Sequence, residues 1–302
     1  MVPFERVAII GLGLIGSSIA RGVRAAMPDV RLTGFDADAE VRAIAGRIDL
    51  LDEVADTPGA AVAEADLVIL CVPVGAMGAA AAQIAASLPA AAIVSDVGSC
   101  KAEVARALRE ALPDATIVPA HPVAGTERSG PEAGFASLFH GRWTIVTPIE
   151  GTPAEPVERV AAFWRQLGAQ VDTMAPEHHD RVLAVTSHLP HLIAYTIVGT
   201  ADDLAEVTQG EVIKYSAGGF RDFTRIAASD PTMWRDVFLA NREAVLEMLQ
   251  RFSEDLSQLQ RAIRWGKGDE LFDLFTRTRA IRRSIVDQGQ DSEAVDFGRP
   301  HS

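Results

Sequence analysis

A glycine-rich turn between two apolar segments constrains the fold of this chain more than any other feature. Residues 7–10 are apolar and lead directly into Gly11-x-Gly13-x-x-Gly16, and an Ala- and Arg-rich stretch and a second apolar run then end at Asp36. This order predicts a strand, a tight turn, a helix and a second, parallel strand. Gly11 permits the turn, Gly13 lets the backbone approach a pyrophosphate, and Gly16 allows the helix to pack closely on the strand.

The context of these glycines indicates a dinucleotide site. The predicted helix opens at Leu14 and Ile15, where free N–H groups and the positive end of the helix dipole face the phosphates. Asp36 follows Gly16 by about 20 residues, the place of a carboxylate that accepts hydrogen bonds from both ribose hydroxyls. Because that carboxylate repels a 2′-phosphate, the sequence predicts NAD as the cofactor. The alternative is an α/β domain whose glycine turn binds nothing.

Composition and charge limit the partners of the chain. It has 302 residues, enough for two domains, and 28 basic against 41 acidic residues give a net charge of −13. This charge argues against a nucleic-acid-binding surface. Cys71 and Cys100 are too few for a disulfide framework and fit a reducing compartment. The first predicted strand begins almost at once, which leaves no room for a signal peptide, so we expect a cytoplasmic protein.

Further apolar runs predict parallel strands whose ends carry candidate site residues. These runs cover residues 67–72, 93–96 and 116–120. In an open α/β sheet, ligands bind outside the carboxyl ends of the strands. We therefore predict ligand contacts at or just after these ends, from Val72, Pro73 and Asp96 to the cofactor and from Ser99 and His121 to the substrate. The uncharged residues 67–94 are long enough to span a bilayer, but prolines and glycines divide them, and no membrane contact is predicted.

The second half of the chain has a different pattern. After strands at residues 143–147 and 169–174, and a helix between them that opens with a capping box at Thr152, only helical periodicity is found up to Ile285. We predict an α/β fold with a Rossmann-type doubly wound sheet in residues 1–174 and an all-α domain in residues 175–302, with 288–302 as a loose tail. The apolar steps from Pro231 to Arg264 predict one long helix whose exposed stripe meets a second subunit.

Two residues at strand ends have side chains suited to chemistry. His121 has the side chain whose unperturbed pKa suits proton transfer near neutrality, and beside a nicotinamide it would accept the proton of a substrate hydroxyl. The alternative is a loop histidine that caps a backbone group. The alternative role for Ser99 is that of N-cap of the helix that follows it, and this role is compatible with substrate contact.

The helical half offers groups for an acidic substrate. His188 and His191 lie one helical turn apart, but no cysteine cluster or HExxH pattern supports a metal site, and none is predicted. Histidines in an apolar stretch suit an acidic substrate instead. Arg225 follows a glycine pair, and arginine grips a carboxylate with two parallel hydrogen bonds. The alternative for Arg225 is a solvated surface residue or an ion pair with a neighbouring aspartate.

Five motifs follow one another along the chain: GLGLIGSS at Gly11, SDVGSCK at Ser95, HPVAGTE at His121, TSHLPH at Thr186 and the segment from Gly218 to Arg242. Together they resemble the prephenate and arogenate (cyclohexadienyl) dehydrogenases of tyrosine biosynthesis. The resemblance implies an NAD-binding domain, a helical domain that builds a homodimer, and oxidative decarboxylation of a cyclohexadienol. It also implies roles for individual residues: His121 as the histidine on the substrate hydroxyl, Ser99 as an orienting serine, Arg225 on a substrate carboxylate, His191 in the pocket, and Thr126, Glu127 and Trp234 as lining or gating residues.

Two other functions remain as alternatives. A β-hydroxyacid dehydrogenase or imine reductase has the same two-domain plan, but that class commonly uses a lysine on the first long helix after the nucleotide domain, and Pro176 to Gly199 contains none. A binding protein that responds to NAD without catalysis would have no use for His121, Ser99 and Arg225 together. The sequence does not distinguish prephenate from arogenate, which share the ring and differ in the side chain.

Overall fold

In a computed structural model of the chain, a parallel sheet organises the first half. The structure describes residues 2–126, 128–203 and 218–285. The sheet has six strands: β1 (Arg6–Ile10), β2 (Arg31–Phe35), β3 (Glu53–Val54), β4 (Leu67–Leu70), β5 (Ile93–Asp96) and β6 (Thr116–Ile117). Their order across the sheet is β3-β2-β1-β4-β5-β6, so the direction of winding reverses between β1 and β4. The crevice at such a reversal is where ligands bind in doubly wound folds.

Helices cover both faces of this sheet. They are α1 (Leu14–Ala26), α2 (Ala39–Arg47), α3 (Pro58–Val62), α4 (Met77–Ile84) and α5 (Ala102–Ala111). Along β1, Val7 and Ile9 pack into one hydrophobic core while Ala8 and Ile10 pack into a second. Alternate residues are therefore buried on opposite faces, which explains the continuous apolar character of the strand.

A second, three-stranded sheet places His121. It consists of β7 (Ala120–Pro122), β8 (Trp143–Val146) and β9 (Gln170–Thr173), and helix α6 (Ala154–Gln166) joins the last two strands. The prediction of a single strand over residues 116–120 was wrong, because the chain leaves the first sheet after Ile117. It enters the second at Ala120, where β7 runs antiparallel to β8 and His121 is opposite Ile145. His121 is thus held in a strand and not in a loop.

The rest of the described chain is helical. A continuous helical run comprises α7 (Pro176–Leu183), a π-helical turn (Ala184–His188) and α8 (Leu189–Asp203). After residue 217 come α9 (Gly218–Thr224), a 3₁₀ turn (Arg225–Ala228), α10 (Pro231–Ala240), α11 (Arg242–Arg264) and α12 (Gly268–Ile285). The prediction of a doubly wound parallel sheet followed by helices is confirmed. The predicted loose tail lies outside the described residues.

Two local predictions were wrong. The single helix from Pro231 to Arg264 is broken at Asn241, whose backbone has φ −106° and ψ 32°. Its side chain donates to the Asp180 carbonyl oxygen (2.8 Å) and contacts His188 Nδ1 (3.1 Å). The capping box at Thr152 is not formed: α6 has Pro153 as its N-cap, and the Thr152 hydroxyl donates to the Ile117 carbonyl instead (3.5 Å).

By compactness the chain divides into two units, Met1–Val245 and Leu246–Ser302. The predicted domain boundary at residue 174 stays a prediction, because the two units are defined by compactness only.

Among the described residues, the helical run Pro176–Asp203 is long and apolar enough to cross a membrane by length and composition alone, with a mean hydropathy of 1.4. Length and composition do not distinguish such a helix from the core helix of a soluble protein, and 22% of its most apolar stretch is buried.

Candidate active site

The glycine turn is shaped for a pyrophosphate. Gly11 has φ +100°, a conformation that favours glycine, and its N–H donates to the Phe35 carbonyl (2.8 Å). A Cβ on Gly16 would collide with the Gly11 carbonyl oxygen, whereas a Cβ on Gly13 would meet nothing within 4 Å. Gly16 therefore serves packing, and the open space at Gly13 lies beside the N-terminus of α1, where N–H groups are free to bind an anion.

The acid at the end of β2 is fixed beside this turn. Asp36 Oδ2 accepts a hydrogen bond from the Leu12 N–H (2.8 Å), and Oδ1 accepts one from the Asp38 N–H (2.9 Å). Asp36 is half-buried. This geometry suits acceptance of ribose hydroxyls. Leu14 and Ile15, in the first turn of α1, are half-buried, as is Val72, while Pro73 is exposed after β4. Cofactor contacts of these four residues stay predictions.

Asp96 has a different setting from the one predicted. It is fully buried and forms an ion pair with Lys101, which is also fully buried. Its carboxylate also accepts from the N–H groups of Gly98 (2.7 Å) and Ala120 (3.3 Å). Lys101 Nζ donates in addition to the Ala120 carbonyl (2.7 Å). The pair therefore ties the end of β5 to the start of β7. Contact of Asp96 with a cofactor stays a prediction.

A chain of buried hydrogen bonds links His121 to His179 and Asp180. Its Nδ1 lies 2.8 Å from His179 Nε2, and His179 Nδ1 lies 2.8 Å from Asp180 Oδ1. His121 is 8% exposed and His179 0%. Asp180 also accepts from the N–H groups of Lys101 (2.7 Å) and Ala102 (3.0 Å), so its carboxylate caps α5. Ser99 is not the N-cap of α5, because the N-cap residue is Lys101 and the capping hydrogen bonds go to the Asp180 carboxylate of α7.

Burial and neighbouring charges set the protonation of this chain. Burial alone raises the pKa of Asp180, but hydrogen bonds from His179 and from two backbone N–H groups outweigh it and hold the pKa below its usual value. Burial lowers the pKa of His179, although Asp180 opposes that change. Burial, with His179, Lys101 and His188 nearby, lowers the pKa of His121 well below its ordinary value. Near neutral pH, Asp180 is therefore ionised and both histidines are neutral.

A second buried histidine presents an unsatisfied N–H group. Asn241 Nδ2 donates one hydrogen to the Asp180 carbonyl, so its other hydrogen faces His188 Nδ1, which must accept. Burial lowers the pKa of His188 to about 4. His188 is consequently neutral and protonated on Nε2, which is buried without a partner among the described residues. Trp234 Nε1 is a second such donor, and the two rings lie 6.0 Å apart.

Other predicted residues gather near Trp234. His191 is half-buried, stacks on the Trp234 ring at 3.6 Å between centroids, and donates from Nδ1 to the Ser187 carbonyl (2.8 Å). Burial lowers the pKa of His191, the Ser187 carbonyl opposes that change, and the Arg225 charge lowers it further. The 3₁₀ turn that begins with Arg225 packs against α8, the helix of His191, and the Arg225 side chain is exposed. The structure thus brings His188, His191, Trp234 and Arg225 into one region.

Three predicted residues contribute less to this geometry. Ser99 is half-buried in the segment between β5 and α5, and Thr126 is half-buried and accepts from the Arg128 N–H (3.2 Å). Glu127 lies outside the described residues. Cys100, interpreted as a packing residue, is buried, and burial raises the pKa of its thiol to about 12. The described residues contain no group of three or more His, Cys, Asp or Glu side chains that could hold a metal ion.

The sequence interpretation gave no individual role to four residues of this site: Lys101, Asp180, Asn241 and His179, which it considered only as part of a histidine cluster. A signal for two of them was present. Along α7 the buried residues are Pro176, His179, Asp180 and Leu183. These positions follow the i, i+3, i+4, i+7 spacing of a helix face that packs against a core. Charged or titratable residues on such a face are paired or functional.

Comparisons with known proteins identify the family of the chain. A family model described as the prephenate dehydrogenase nucleotide-binding domain matches residues 19–173, and one described as the prephenate dehydrogenase dimerization domain matches residues 175–277. The chain is 46% identical to a cyclohexadienyl dehydrogenase of Zymomonas mobilis, covering 94% of this chain and 97% of that protein. It is 32% identical to a prephenate dehydrogenase of Bacillus subtilis, covering 93% of this chain and 76% of that protein.

A solved structure has the same fold. It is prephenate dehydrogenase from A. aeolicus in complex with hydroxyphenyl propionate and NAD⁺. The two structures superpose with a TM-score of 0.85 at 34% sequence identity, and the match covers 93% of this chain and 98% of that one.

Proposed function

Because the chain belongs to the prephenate dehydrogenase family, we propose that it catalyses the NAD-dependent oxidative decarboxylation of prephenate or arogenate in tyrosine biosynthesis. One structural observation carries this proposal above the others. A buried, neutral histidine, His121, lies at the edge of the second sheet with its Nδ1 engaged by His179. Such a residue is suited to take a proton from a substrate hydroxyl at neutral pH.

The glycine turn and Asp36 would hold the cofactor. The open space at Gly13 and the N–H groups at the start of α1 fit a pyrophosphate, and the fixed Asp36 carboxylate fits a ribose with free hydroxyls. NAD supplies the hydride acceptor when it is bound. We place Leu14, Ile15, Val72 and Pro73 along the same cofactor.

His121 handles the proton of the reaction. The ring carbon that bears the hydroxyl would lose its hydrogen as hydride, and the hydroxyl gives its proton to His121 Nε2 as that carbon becomes a carbonyl carbon. The bond from the ring to its carboxylate then breaks, CO₂ leaves, and the electron pair of that bond completes the aromatic ring. The phenolic oxygen takes the proton back from His121. Aromatisation supplies the driving force, and Ser99, close to α5, would orient the hydroxyl.

The anionic ends of the substrate require cationic and N–H donors. Arg225 would bind the side-chain carboxylate, because its planar guanidinium matches a carboxylate with two parallel hydrogen bonds. His191, stacked on Trp234, would contact the same end. His188 Nε2 and Trp234 Nε1 are buried donors without partners among the described residues, and an oxygen of the substrate would satisfy them. Thr126 and Glu127 would line the substrate pocket or gate access to it.

We further propose a homodimer built by the helical half and a cytoplasmic location. The dimerization-domain match supports the first statement. Both cysteines are free, Cys71 half-buried and Cys100 buried, which fits a reducing compartment.

The test is to supply purified protein and NAD with prephenate and arogenate separately and to follow NADH by its near-ultraviolet absorbance and CO₂ by release. We expect turnover of at least one substrate with equal amounts of NADH and CO₂, and the ratio of the two kcat/KM values then names the substrate. NADH formed without CO₂, or no turnover of either substrate by protein that binds NAD, would contradict the proposal.

A further inference from the structure

The hydrogen-bond chain behind His121 fixes the position of every proton along it. Asp180 is an ionised carboxylate and can only accept, so His179 Nδ1 carries a hydrogen. His179 is neutral, so its Nε2 is a bare acceptor, and the partner nitrogen at 2.8 Å, His121 Nδ1, must donate. The neutral His121 ring then has its free lone pair on Nε2. This nitrogen has no hydrogen bond within the described chain and is the one available to a substrate.

We propose that His179 and Asp180 form a charge-accepting pair that holds His121 in its basic tautomer and shares its positive charge while it carries the substrate proton. His179 is a positioning residue in this scheme, because it acts through His121 and does not touch the substrate. The inference rests on the proposed function for the identity of the substrate, but the hydrogen-bond chain itself does not depend on it.

The proton balance of the proposed reaction suits such a closed chain. The hydroxyl proton moves to His121 Nε2 when the carbonyl forms, and it returns to the same oxygen when the ring becomes aromatic. Because the oxygen regains its proton, His121 has to hold a positive charge only briefly and needs no path for protons to solvent. When Nε2 is protonated, the Nδ1 proton can shift to His179 Nε2, and the charge then lies next to the Asp180 carboxylate. His179 is fully buried, which keeps this proton from water.

The surrounding charges make the carboxylate necessary. Burial disfavours positive charge on His121 most, and His179 on α7, the Lys101 ammonium at the start of α5 and His188 on the π-helical turn add to that effect. Lys101 disfavours it on His179 too, whereas Asp180 on α7 and Asp96 at the end of β5 favour it there. Asp96 is already paired with Lys101, and this leaves Asp180 as the carboxylate in direct contact with the histidine pair.

Kinetics of two His179 variants separate positioning from packing. Ala removes the acceptor for the His121 Nδ1 hydrogen, whereas Gln keeps an acceptor oxygen but takes no proton. We expect His179→Ala to lower kcat about 100-fold, with KM values for NAD and substrate within about twofold of the parent. We expect the acid limb of the pH profile of kcat/KM to move to lower pH, because the His121 cation loses its acceptor. His179→Gln holds the His121 tautomer but accepts no proton, so it should retain a larger kcat than Ala while its acid limb also moves to lower pH.

The matched control is His178→Gln, because His178 is the exposed neighbour on the same helix. In this variant kcat, both KM values and the acid limb of kcat/KM should equal those of the parent. Equal loss of kcat in both His179 variants with an unshifted acid limb would assign His179 to packing alone and overturn the proposal.

A spectroscopic test works without turnover. In protein with ¹⁵N-labelled histidine, the ring-nitrogen shifts report which nitrogen carries hydrogen, and His121→Gln identifies the His121 signals. We expect His121 in the parent to be protonated on Nδ1 with a bare Nε2, and to adopt the Nε2–H form in His179→Ala. A parent His121 protonated on Nε2 would overturn the proposal whether or not the protein turns over prephenate. Failure of turnover with the expected tautomer would instead count against the proposed function.

Discussion

Two buried residues, Lys101 and Asp96, determine where the proposed base lies. Both side chains are fully buried, and Lys101 also donates to the carbonyl of Ala120, the residue before His121. Burial raises the pKa of Asp96, and the Lys101 ammonium and the N–H groups of Gly98 and Ala120 oppose that rise. Removing one partner from such a pair costs about 3–5 kcal/mol, because the other is left buried without compensation. The buried ion pair therefore holds the start of β7, and with it His121, in place.

At His121 we predict that replacement by Gln lowers kcat about 10²- to 10⁴-fold, the usual contribution of a general base. Burial lowers the pKa of His121, so the neutral base persists as the pH falls. The acid limb of kcat/KM in the parent should therefore lie below the ~6.5 of an ordinary histidine, with activity lost only under more acidic conditions. Steady-state kinetics across pH measure both quantities. Activity within twofold of the parent, or a limb above that value, would remove His121 from this role.

For Arg225 we predict an effect on binding and not on chemistry. Its guanidinium is exposed in the free protein, so the loss in Arg225→Ala should be near the lower end for a charge pair, about 2 kcal/mol or a ~30-fold rise in the KM of the substrate. Arg225→Lys keeps the positive charge but loses the planar guanidinium, so its substrate KM should lie between those of the parent and the Ala variant. The KM of NAD provides the internal control and should stay constant. An unchanged substrate KM in the Ala variant would reject the assignment.

At the level of elements, local patterns predicted those features that depend on neighbours in sequence. The strand Ile93–Asp96 follows from its apolar run, and the glycine turn and helix α1 follow from the spacing of the glycines and the Ala- and Arg-rich stretch after them. The break at Asn241 could not be predicted in this way, since the apolar steps continue across it. It depends on bonds to Asp180 and His188, which lie far away in sequence.

The same reason limits prediction of the site. His121 was recognisable because it follows a predicted strand end. Its partners His179 and Asp180 could be placed only by the packing of α7 against the start of α5, where Asp180 caps the helix. An N-cap supplied from 78 residues away in sequence leaves no local signal. Ser99, the local candidate for that cap, is an ordinary N-cap residue type.

The turn between β1 and α1 gives a matched pair of variants. Gly16→Ala puts a methyl group against the Gly11 carbonyl and should destabilise the protein by about 1–3 kcal/mol. Gly13→Ala introduces the same group into open space at an ordinary φ of −69°. It should leave thermal unfolding nearly unchanged and raise the KM of NAD, since the methyl group would lie where the pyrophosphate approaches. Thermal unfolding together with NAD titration distinguishes the two. Equal stability of both variants would contradict the packing role of Gly16.

Considered as a whole, the described chain leaves large apolar side chains exposed in its helical half. In the unit Met1–Val245, Ile197 and Val198 of α8 are 39% and 40% exposed. In the unit Leu246–Ser302, exposed apolar residues occur on both helices and between them: Leu256, Ile263, Trp265, Phe272, Phe275 and Ile281. Monomeric proteins rarely expose so many large apolar side chains within a short segment, and such surfaces mark contacts with another chain. The dimerization-domain match covers both helix groups up to residue 277.

We predict that α12 contributes to the contact between two copies of the chain. Phe272 and Phe275 are 70% and 55% exposed and lie three residues apart, on one face of the helix. The double variant Phe272→Asp, Phe275→Asp would place charges in an apolar interface, where a buried unpaired carboxylate is costly. Its mass in solution, by sedimentation or light scattering, should fall from that of a dimer toward that of one chain. Asp269→Ser, a polar change in the first turn of the same helix, should leave the mass unaltered. A parent protein that is monomeric at micromolar concentration, or a double variant that remains dimeric, would show that these aromatic residues face something other than a second copy.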